Sequence, residues 1–307
     1  MRIGVAMIVL AALATAGCGG GGGAPSPTSS GHTSTLPGPP SSSTPLPTST
    51  STGTSPAPGG KGRRIVVVFM ENHNYADVEG NPCCPFETQL SRRGRLFTNY
   101  YGVAYPSKPN YLAFGGGSTF GQAGSDNPLP VIQAPSLFHQ LSAAGVSWAG
   151  WVEDYPGGPG RCYLQPTGST YAMRHVAPLL FADVAQTGLC NRISASPPRV
   201  LPHFLWVTPN TCNDDHDCSP SVGDRWLAAH VPAWLHRGAE VFITYDTGNP
   251  DHTHGGGHVY AVLAGHGVRP RVDARLMSHY SALAGVERAF GLPLLGAART
   301  ATPVPFP

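Results

Sequence analysis

Short runs of consecutive apolar residues recur from residue 64 onward, and most of them are rich in valine, isoleucine and aromatic residues. Continuous apolar runs, unlike alternating ones, are typical of strands that are covered on both faces, as in a parallel sheet. Each run is followed by a polar segment. We therefore predict strands at residues 64–70, 146–152, 203–208, 240–245 and 259–264.

Helical periodicity fills the segments between these runs. Residues 136–144, 223–237 and 278–290 each repeat large apolar side chains at helical spacing. Alternating strands and helices predict an α/β fold, which we expect to be a three-layer sandwich with a mostly parallel central sheet.

The N-terminal residues have a different composition. Residues 1–18 contain an apolar stretch too short to span a bilayer, followed by Thr-Ala-Gly-Cys18, which resembles the lipobox of bacterial lipoproteins. Residues 19–62 are almost entirely proline, serine, threonine and glycine, which predicts a disordered linker. We expect an exported protein, anchored to the outer face of a membrane by lipidated Cys18 or secreted after an ordinary signal cleavage, with one functional domain at residues 63–307.

The net charge of the chain limits the classes of ligand that it is expected to bind. The net charge is +2, only 12% of residues are charged, and no long lysine or arginine run occurs. This composition argues against nucleic acid as a ligand. We expect a monomer.

Cysteine content indicates disulfide bonds. Besides Cys18 the chain has six cysteines, an even number that predicts disulfides in an exported domain. A zinc site is the alternative, but no C-x-x-C spacing supports it. Cys83 and Cys84 are left as a vicinal pair or unassigned. The expected bonds are Cys212–Cys218 and Cys162–Cys190.

One serine lies in a stiff segment, A-Y-P-S-K-P-N-Y-L-A-F-G-G-G at residues 104–117. Pro106 and Pro109 fix their own backbone angles and push the preceding residue out of the helical region. A helix can begin near Asn110, which places Ser107 close to its N-terminus. Such a position favours anions, because free N–H groups point out of it.

Polar residues follow several predicted strands at the edge where α/β sheets bind ligands. The first strand is followed by Glu71 and Asn72, and the 240–245 strand by Asp246. These oxygen donors suit a divalent cation such as calcium, magnesium, manganese or zinc. Ser107 beside that cation would attack phosphorus and form a phosphoseryl intermediate, which water then hydrolyses.

The strand at 203–208 is followed by P-N-T-C-N-D-D-H-D, residues 209–217. His216 would be protonated at mildly acidic pH and would donate a proton to the leaving oxygen, with Asp217 orienting it. We expect the amides of Asn72, Asn210 and Asn213 to bind phosphoryl oxygens.

Several segments occur together in the order of a known family. They are V-V-V-F-M-E-N-H-N-Y (66–75), P-S-K-P-N-Y-L-A-F-G-G-G (106–117), T-P-N-T-C-N-D-D-H-D-C-S (208–219), I-T-Y-D (243–246) and S-H-Y-S-A-L (278–283). As a set they resemble the bacterial phosphoesterase family of the alkaline-phosphatase superfamily, which holds acid phosphatases and phosphatidylcholine-cleaving phospholipases C. The resemblance covers nearly all of residues 64–296.

The resemblance implies an alkaline-phosphatase-like fold and an acid phosphatase that acts on phosphate monoesters. The most similar members act on phosphoinositides, so the implied partner is a phosphorylated small molecule or a phospholipid head group. The residues that the resemblance assigns are the metal ligands Glu71, Asn72 and Asp246, the nucleophile Ser107, the phosphate-handling Asn210, Asp214, His216 and Asp217, and the substrate-binding His175.

Two positions depart from the family's pattern. Tyr105 stands where the family usually has a histidine, and Thr247 stands where a glutamate usually follows the strand aspartate. A lost carboxylate reshapes the metal site unless Asp251, His252 or His254 compensates. Two alternatives therefore stay open, a phospholipase C-type phosphodiesterase and a surface binding protein with impaired catalysis.

Overall fold

A computed structural model describes residues 62–158, 160–165 and 170–307. The predicted signal segment with Cys18 and the predicted linker up to residue 61 lie outside the described residues. Within the described ranges, no helix combines the length and the apolar character needed to cross a membrane.

The central sheet is mostly parallel, as predicted. Its strands, with a separate pair formed by β3 and β10, are β1 Ile65–Met70, β2 Arg95–Phe97, β3 Tyr100–Tyr101, β4 Trp148–Val152, β5 Ile193–Ser194, β6 Phe204–Thr208, β7 Glu240–Tyr245, β8 Ala261–Gly265, β9 Arg271–Asp273 and β10 Met277–Ser278. The sheet order is β5-β4-β6-β1-β7-β8-β2-β9, and β8 runs antiparallel to both of its neighbours.

Helices cover both faces of this sheet. They are α1 Tyr75–Val78, α2 Pro85–Arg93, α3 Lys108–Gly116, α4 Leu137–Ala143, α5 Ala182–Ala185, α6 Pro220–His236 and α7 His279–Ala289. Helix α2 packs against α6, whereas α3 packs against α4 and α7. The predicted three-layer α/β sandwich is therefore confirmed.

Strand β1 shows why its sequence is continuously apolar. All six of its residues are buried. Phe69 packs against the rings of Tyr111 and Trp206 on one face, while Met70 faces Gly223 of α6 on the other. Because both faces are covered, no position in the strand is left for a polar side chain.

Helix α3 places the predicted nucleophile at the edge of the sheet. Ser107 is its N-cap residue and Pro109 lies in its first turn, where a missing N–H costs nothing. Gly115 lies so close to Phe181 that an added Cβ would be 2.5 Å from the ring. Glycine thus lets this end of the helix pack directly on an aromatic side chain.

Both predicted disulfides are present. The Cα atoms are 5.7 Å apart in Cys162–Cys190 and 4.8 Å apart in Cys212–Cys218. Cys83 and Cys84 carry free thiols.

Candidate functional site

The predicted nucleophile meets a buried carboxyl group where β1 ends. Ser107 Oγ donates a hydrogen bond to Glu71 Oε2 at 2.8 Å, and the two residues are 3% and 0% exposed. The hydroxyl of Tyr111, one turn into α3, donates to Glu71 Oε1. Sequence reasoning missed Tyr111, whose position in the segment gives no polar signal.

A second carboxyl group enters from the end of β7. Asp246 Oδ1 accepts the backbone N–H of Asn72 at 3.0 Å. Asn72 has φ of 60°, in the left-handed region that asparagine tolerates, and this turn points its N–H at Asp246. Asp246 Oδ2 is buried without a hydrogen-bond partner among the described residues.

His175 joins this cluster from the short helix Met173–His175. Its Nδ1 lies 3.2 Å from Asp214 Oδ2, and its Nε2 lies 3.3 Å from Glu71 Oε1. The second contact is not aligned as a hydrogen bond. Asp214 Oδ1 also accepts the backbone N–H of His216 at 2.9 Å, which fixes the loop that follows β6.

His216 is held from two sides. Its Nδ1 lies 2.7 Å from Asp217 Oδ1, and its Nε2 lies 3.0 Å from Arg174 Nη2. Because a guanidinium group only donates, His216 Nε2 accepts and Nδ1 carries the proton that is donated to Asp217. Asp217 therefore orients the imidazole, as expected from the sequence.

Burial sets the protonation of the cluster. It raises the pKa of Glu71 well above its ordinary value, and the charges of Asp246 and Asp214 raise it further. Burial also raises the pKa of Asp214 strongly and that of Asp246 to about 7. The pKa of His175 is lowered well below its usual range by burial, then by Arg174. Ionising all three carboxyl groups thus requires additional positive charge.

The donor set fits a divalent cation. One atom each of Glu71, His175 and His216 lies within 4.8 Å of the others. Glu71 is also one of the three ligands predicted from the sequence, together with Asn72 and Asp246. In the structure these three residues lie around Ser107. Two buried ligand atoms, Asp246 Oδ2 and His175 Nε2, lack hydrogen-bond partners among the described residues, as expected for positions that a cation would satisfy.

The predicted amide donors Asn210 and Asn213 are engaged elsewhere. Asn210 Nδ2 donates to Asp154 Oδ2 at 3.0 Å, and Asn213 Nδ2 donates to Glu153 Oε2 at 2.8 Å. These bonds tie the loop after β6 to the end of β4. In this arrangement both amides hold the loop instead of facing the Ser107 cluster.

The residues at the two departures have other partners. Tyr105 is 47% exposed, and its ring centroid lies 4.5 Å from that of His252. Thr247 is buried, and its hydroxyl donates to the carbonyl of Gly256 at 2.8 Å. Thr247 therefore closes a loop, whereas a glutamate there would offer a carboxylate.

Asp251, His252 and His254, which were considered as substitutes for the missing carboxylate, have other contacts in the structure. Asp251 accepts the backbone N–H groups of Thr253 and His258, both at 2.8 Å. The ring of His254 lies 4.3 Å from that of Tyr101. In this arrangement neither they nor His252, which packs on Tyr105, substitute for the absent carboxylate.

Comparisons with known proteins identify the family of this chain. Residues 81–293 match the model of the Phosphoesterase family. The phosphatidylinositol-3-phosphatase of Mycobacterium tuberculosis is 32% identical over 249 residues, which cover 78% of this chain and 81% of that protein. The phosphate-repressible acid phosphatase of Penicillium chrysogenum is 28% identical over 256 residues, which cover 76% of this chain but only 60% of the fungal protein.

A solved structure shows the same fold at low identity. It is a Bacteroides thetaiotaomicron protein of glycosaminoglycan metabolism, with a TM-score of 0.52, 12% identity and 80% coverage of each chain. The two proteins therefore share the three-layer α/β architecture, although their sequences are only 12% identical.

Proposed function

We propose a function on the premise that this chain belongs to the Phosphoesterase family and is a phosphoric ester hydrolase. It is an exported acid phosphatase that hydrolyses phosphate monoesters through a phosphoserine at Ser107, and phosphoinositides are its leading substrate class. The observation that carries this proposal is the 2.8 Å hydrogen bond from Ser107 Oγ to Glu71 Oε2 inside a buried cluster of carboxyl and imidazole groups. The names of the matched relatives support the reaction type and the substrate class.

The same residues would hold a divalent cation. Glu71 and Asp246 are the central ligands in this proposal, with Asn72 on one side and His175 on the other, while His216 is left free to act as an acid. Their mixed oxygen and nitrogen donors accept calcium, magnesium, manganese or zinc. When bound, the cation supplies positive charge that favours the ionised serine and offsets the charge of the phosphoryl group.

The chain's own residues carry out the transfer. Ser107 Oγ attacks phosphorus, its proton leaves along the hydrogen bond to Glu71, and the bond from phosphorus to the leaving oxygen breaks. The leaving oxygen takes a proton from protonated His216, which Asp217 orients. Water then cleaves the phosphoserine. We expect activity to be highest at acidic pH, in line with the names of the matched acid phosphatases.

Hydrolysis of p-nitrophenyl phosphate by Ser107→Ala tests the nucleophile. Turnover should be lost, and a phosphoserine that can be trapped by acid quenching should disappear from the peptide that contains residue 107. The exposed Ser196 provides the control variant Ser196→Ala, which should keep wild-type activity and wild-type labelling. A wild-type rate in Ser107→Ala rejects the proposal.

The two alternatives give different results in the same assay. Release of phosphocholine from phosphatidylcholine without monoester hydrolysis identifies a phospholipase C-type diesterase. A folded wild-type protein that binds a phosphorylated ligand but hydrolyses neither ester is a binding protein.

Export has separate support and a separate test. Two disulfides are typical of oxidising compartments. We propose that Cys18 is lipidated and anchors the domain to the outer face of a membrane as a monomer. Cys18→Ala should move the protein from the membrane fraction to the soluble fraction, and an unchanged distribution contradicts the anchor.

A further inference from the structure

Arg174 lies at the edge of the site and has no role in the mechanism above. Its side chain is 17% exposed. Nη2 donates to His216 Nε2 at 3.0 Å, and Nε lies 3.0 Å from Asp126 Oδ2. Among the described residues, Nη1 has no hydrogen-bond acceptor, so one edge of the guanidinium group is available to an anion.

Asp126 connects this arginine with the nucleophile. Its Oδ1 accepts the N–H of Lys108, the residue after Ser107, at 2.9 Å, while Oδ2 pairs with Arg174. One carboxylate thus holds the start of α3 and the guanidinium group at a fixed separation. Asp126 lies in the segment between α3 and α4, where no sequence pattern marks it.

Another cation next to Ser107 is already engaged. Lys108 is 1% exposed, and its Nζ donates to Gln122 Oε1 at 2.9 Å and to the carbonyl of Asn127. Its ammonium group is therefore committed to the fold. Arg174, by contrast, is a permanently charged group beside the cluster with a donor that remains free for an incoming anion among the described residues.

We propose that Arg174 binds the non-bridging phosphoryl oxygens of the substrate, that Asp126 is the residue that positions it, and that the pair selects phosphate monoesters over diesters. This inference rests on the proposed function and deepens it. On binding, one phosphoryl oxygen replaces His216 Nε2 as the acceptor of Arg174 Nη2, and a second oxygen accepts from Nη1.

The selection follows from the charge of the two ester classes. A monoester dianion presents three terminal oxygens, so a pair of them can accept from the guanidinium fork while the third faces the rest of the site. A diester carries one negative charge and two terminal oxygens, and its second ester group must occupy space near the same edge. A fixed guanidinium group therefore stabilises the monoester more.

Arg174→Gln tests the anion contact, with inorganic phosphate as the probe. We expect KM for p-nitrophenyl phosphate and the inhibition constant of phosphate to rise about 30-fold, with a smaller change in kcat, because charge-assisted hydrogen bonds are lost. Hydrolysis of bis(p-nitrophenyl) phosphate should change less, so the preference for monoesters falls. Added guanidinium ion should restore part of the lost activity to Arg174→Ala.

Arg275→Gln is the matched control. Arg275 pairs with Asp273 at 2.6 Å on an exposed part of the surface. This variant removes an arginine from an ion pair of the same kind, and it should keep the wild-type KM and phosphate affinity.

Asp126→Asn tests positioning separately. The amide oxygen can still accept from Lys108, but the charge facing Arg174 is lost. We expect KM for monoesters to rise about 10-fold in Asp126→Asn, and we expect the double variant to stay near the roughly 30-fold of Arg174→Gln alone, because Asp126 acts through Arg174. Full additivity of the two effects contradicts the positioning role.

The outcomes separate this inference from the proposed function. If wild-type protein hydrolyses monoesters and Arg174→Gln has wild-type KM and phosphate affinity, the inference is wrong and the function stands. If folded wild-type protein hydrolyses nothing, the proposed function is wrong. Calorimetry with inorganic phosphate then tests whether Arg174 binds the anion. Lost affinity in Arg174→Gln then supports the contact, and retained affinity overturns it.

Discussion

Asp214 and Asp215 are neighbours in the chain, yet their side chains belong to two different buried clusters. Asp214 contacts His175 in the candidate site. Asp215 accepts the hydroxyl of Tyr245 at 2.9 Å and the backbone N–H of Gly223 at 2.7 Å, beside α6. Burial raises the pKa of both, that of Asp215 to about 7.

The cluster around Asp215 is a structural one. Asp224 accepts the backbone N–H groups of Phe86 and Glu87 at 3.3 and 2.9 Å, so it caps α2. Asp215 satisfies Gly223 near the start of α6 in the same way. Glu87 lies between them, and burial followed by the charge of Asp215 raises its pKa well above the usual range.

The difference between the clusters lies in the partners of their oxygens. Around Asp215 the oxygens of Asp215 and Asp224 accept backbone N–H groups that the helices leave free, and Glu87 Oε1 is buried without a hydrogen-bond partner among the described residues. Around Ser107 both a carboxyl oxygen and an imidazole nitrogen, Asp246 Oδ2 and His175 Nε2, are buried without such a partner beside a serine hydroxyl. Burial and a raised pKa are common to both sites, so these properties alone do not identify the functional one.

The largest expected effect comes from Asp246→Asn, which should lower kcat/KM about 100-fold, because Asp246 is a proposed metal ligand and even residues that support such ligands typically contribute about 10- to 100-fold. The asparagine can still accept from the N–H of Asn72. In chelator-treated protein the melting temperature should not fall, because a buried ionisable group is replaced by a neutral one. Steady-state kinetics and calorimetry measure the two effects, and retained activity contradicts the functional assignment of this cluster.

Asp224→Ala should give the opposite result. Loss of the α2 cap should destabilise the fold by about 1 kcal/mol and lower the melting temperature by roughly 2–4 °C, while kcat/KM stays at the wild-type value. The same two measurements apply. A loss of activity as large as that of Asp246→Asn would show that both clusters serve catalysis.

The smallest effect concerns pH and a carboxyl group outside both clusters. Burial raises the pKa of Glu287 in α7 to about 8 from 4.5, so the folded protein binds its proton more tightly than the unfolded chain does. This stabilising contribution is complete below about pH 4.5 and is lost as the pH rises through about 8. In chelator-treated Glu287→Gln, the fall of the melting temperature over this range should be shallower than in wild type, and an unchanged slope contradicts the shift.

Sequence reasoning located the main strands and placed Ser107 at the start of a helix because these signals are local. The continuous apolar run of β1 requires burial on both faces. The expectation that Pro109 keeps Lys108 out of the helical region is wrong, because α3 begins at Lys108, two residues before Asn110, with Pro109 in its first turn. The short strands β2, β3, β5, β9 and β10 were not predicted, since two or three residues carry no detectable periodicity. They form through pairing with strands that are distant in sequence.

The site was predicted in part for the same reason. Glu71 and Asp246 follow strongly patterned strands, so their meeting at one edge of the sheet could be foreseen. The orientation of Asn210 and Asn213 depends on Glu153 and Asp154 at the end of another strand, which a loop sequence does not reveal. Arg174 and Asp126 come from irregular segments, and only the folded chain brings them together.

The loop that Thr247 closes is held by its own hydrogen bonds and by contacts with the segment before Ser107. Besides the bond from Thr247 to Gly256, the N–H of Gly248 donates to the same carbonyl at 2.7 Å, and Asp251 secures the N–H of His258. The loop also binds the segment that leads to Ser107: the N–H of Gly102 donates to the carbonyl of Gly257 at 3.0 Å, and the ring of His252 packs on that of Tyr105. A change in the length or composition of this loop would therefore be transmitted to the chain that precedes the serine.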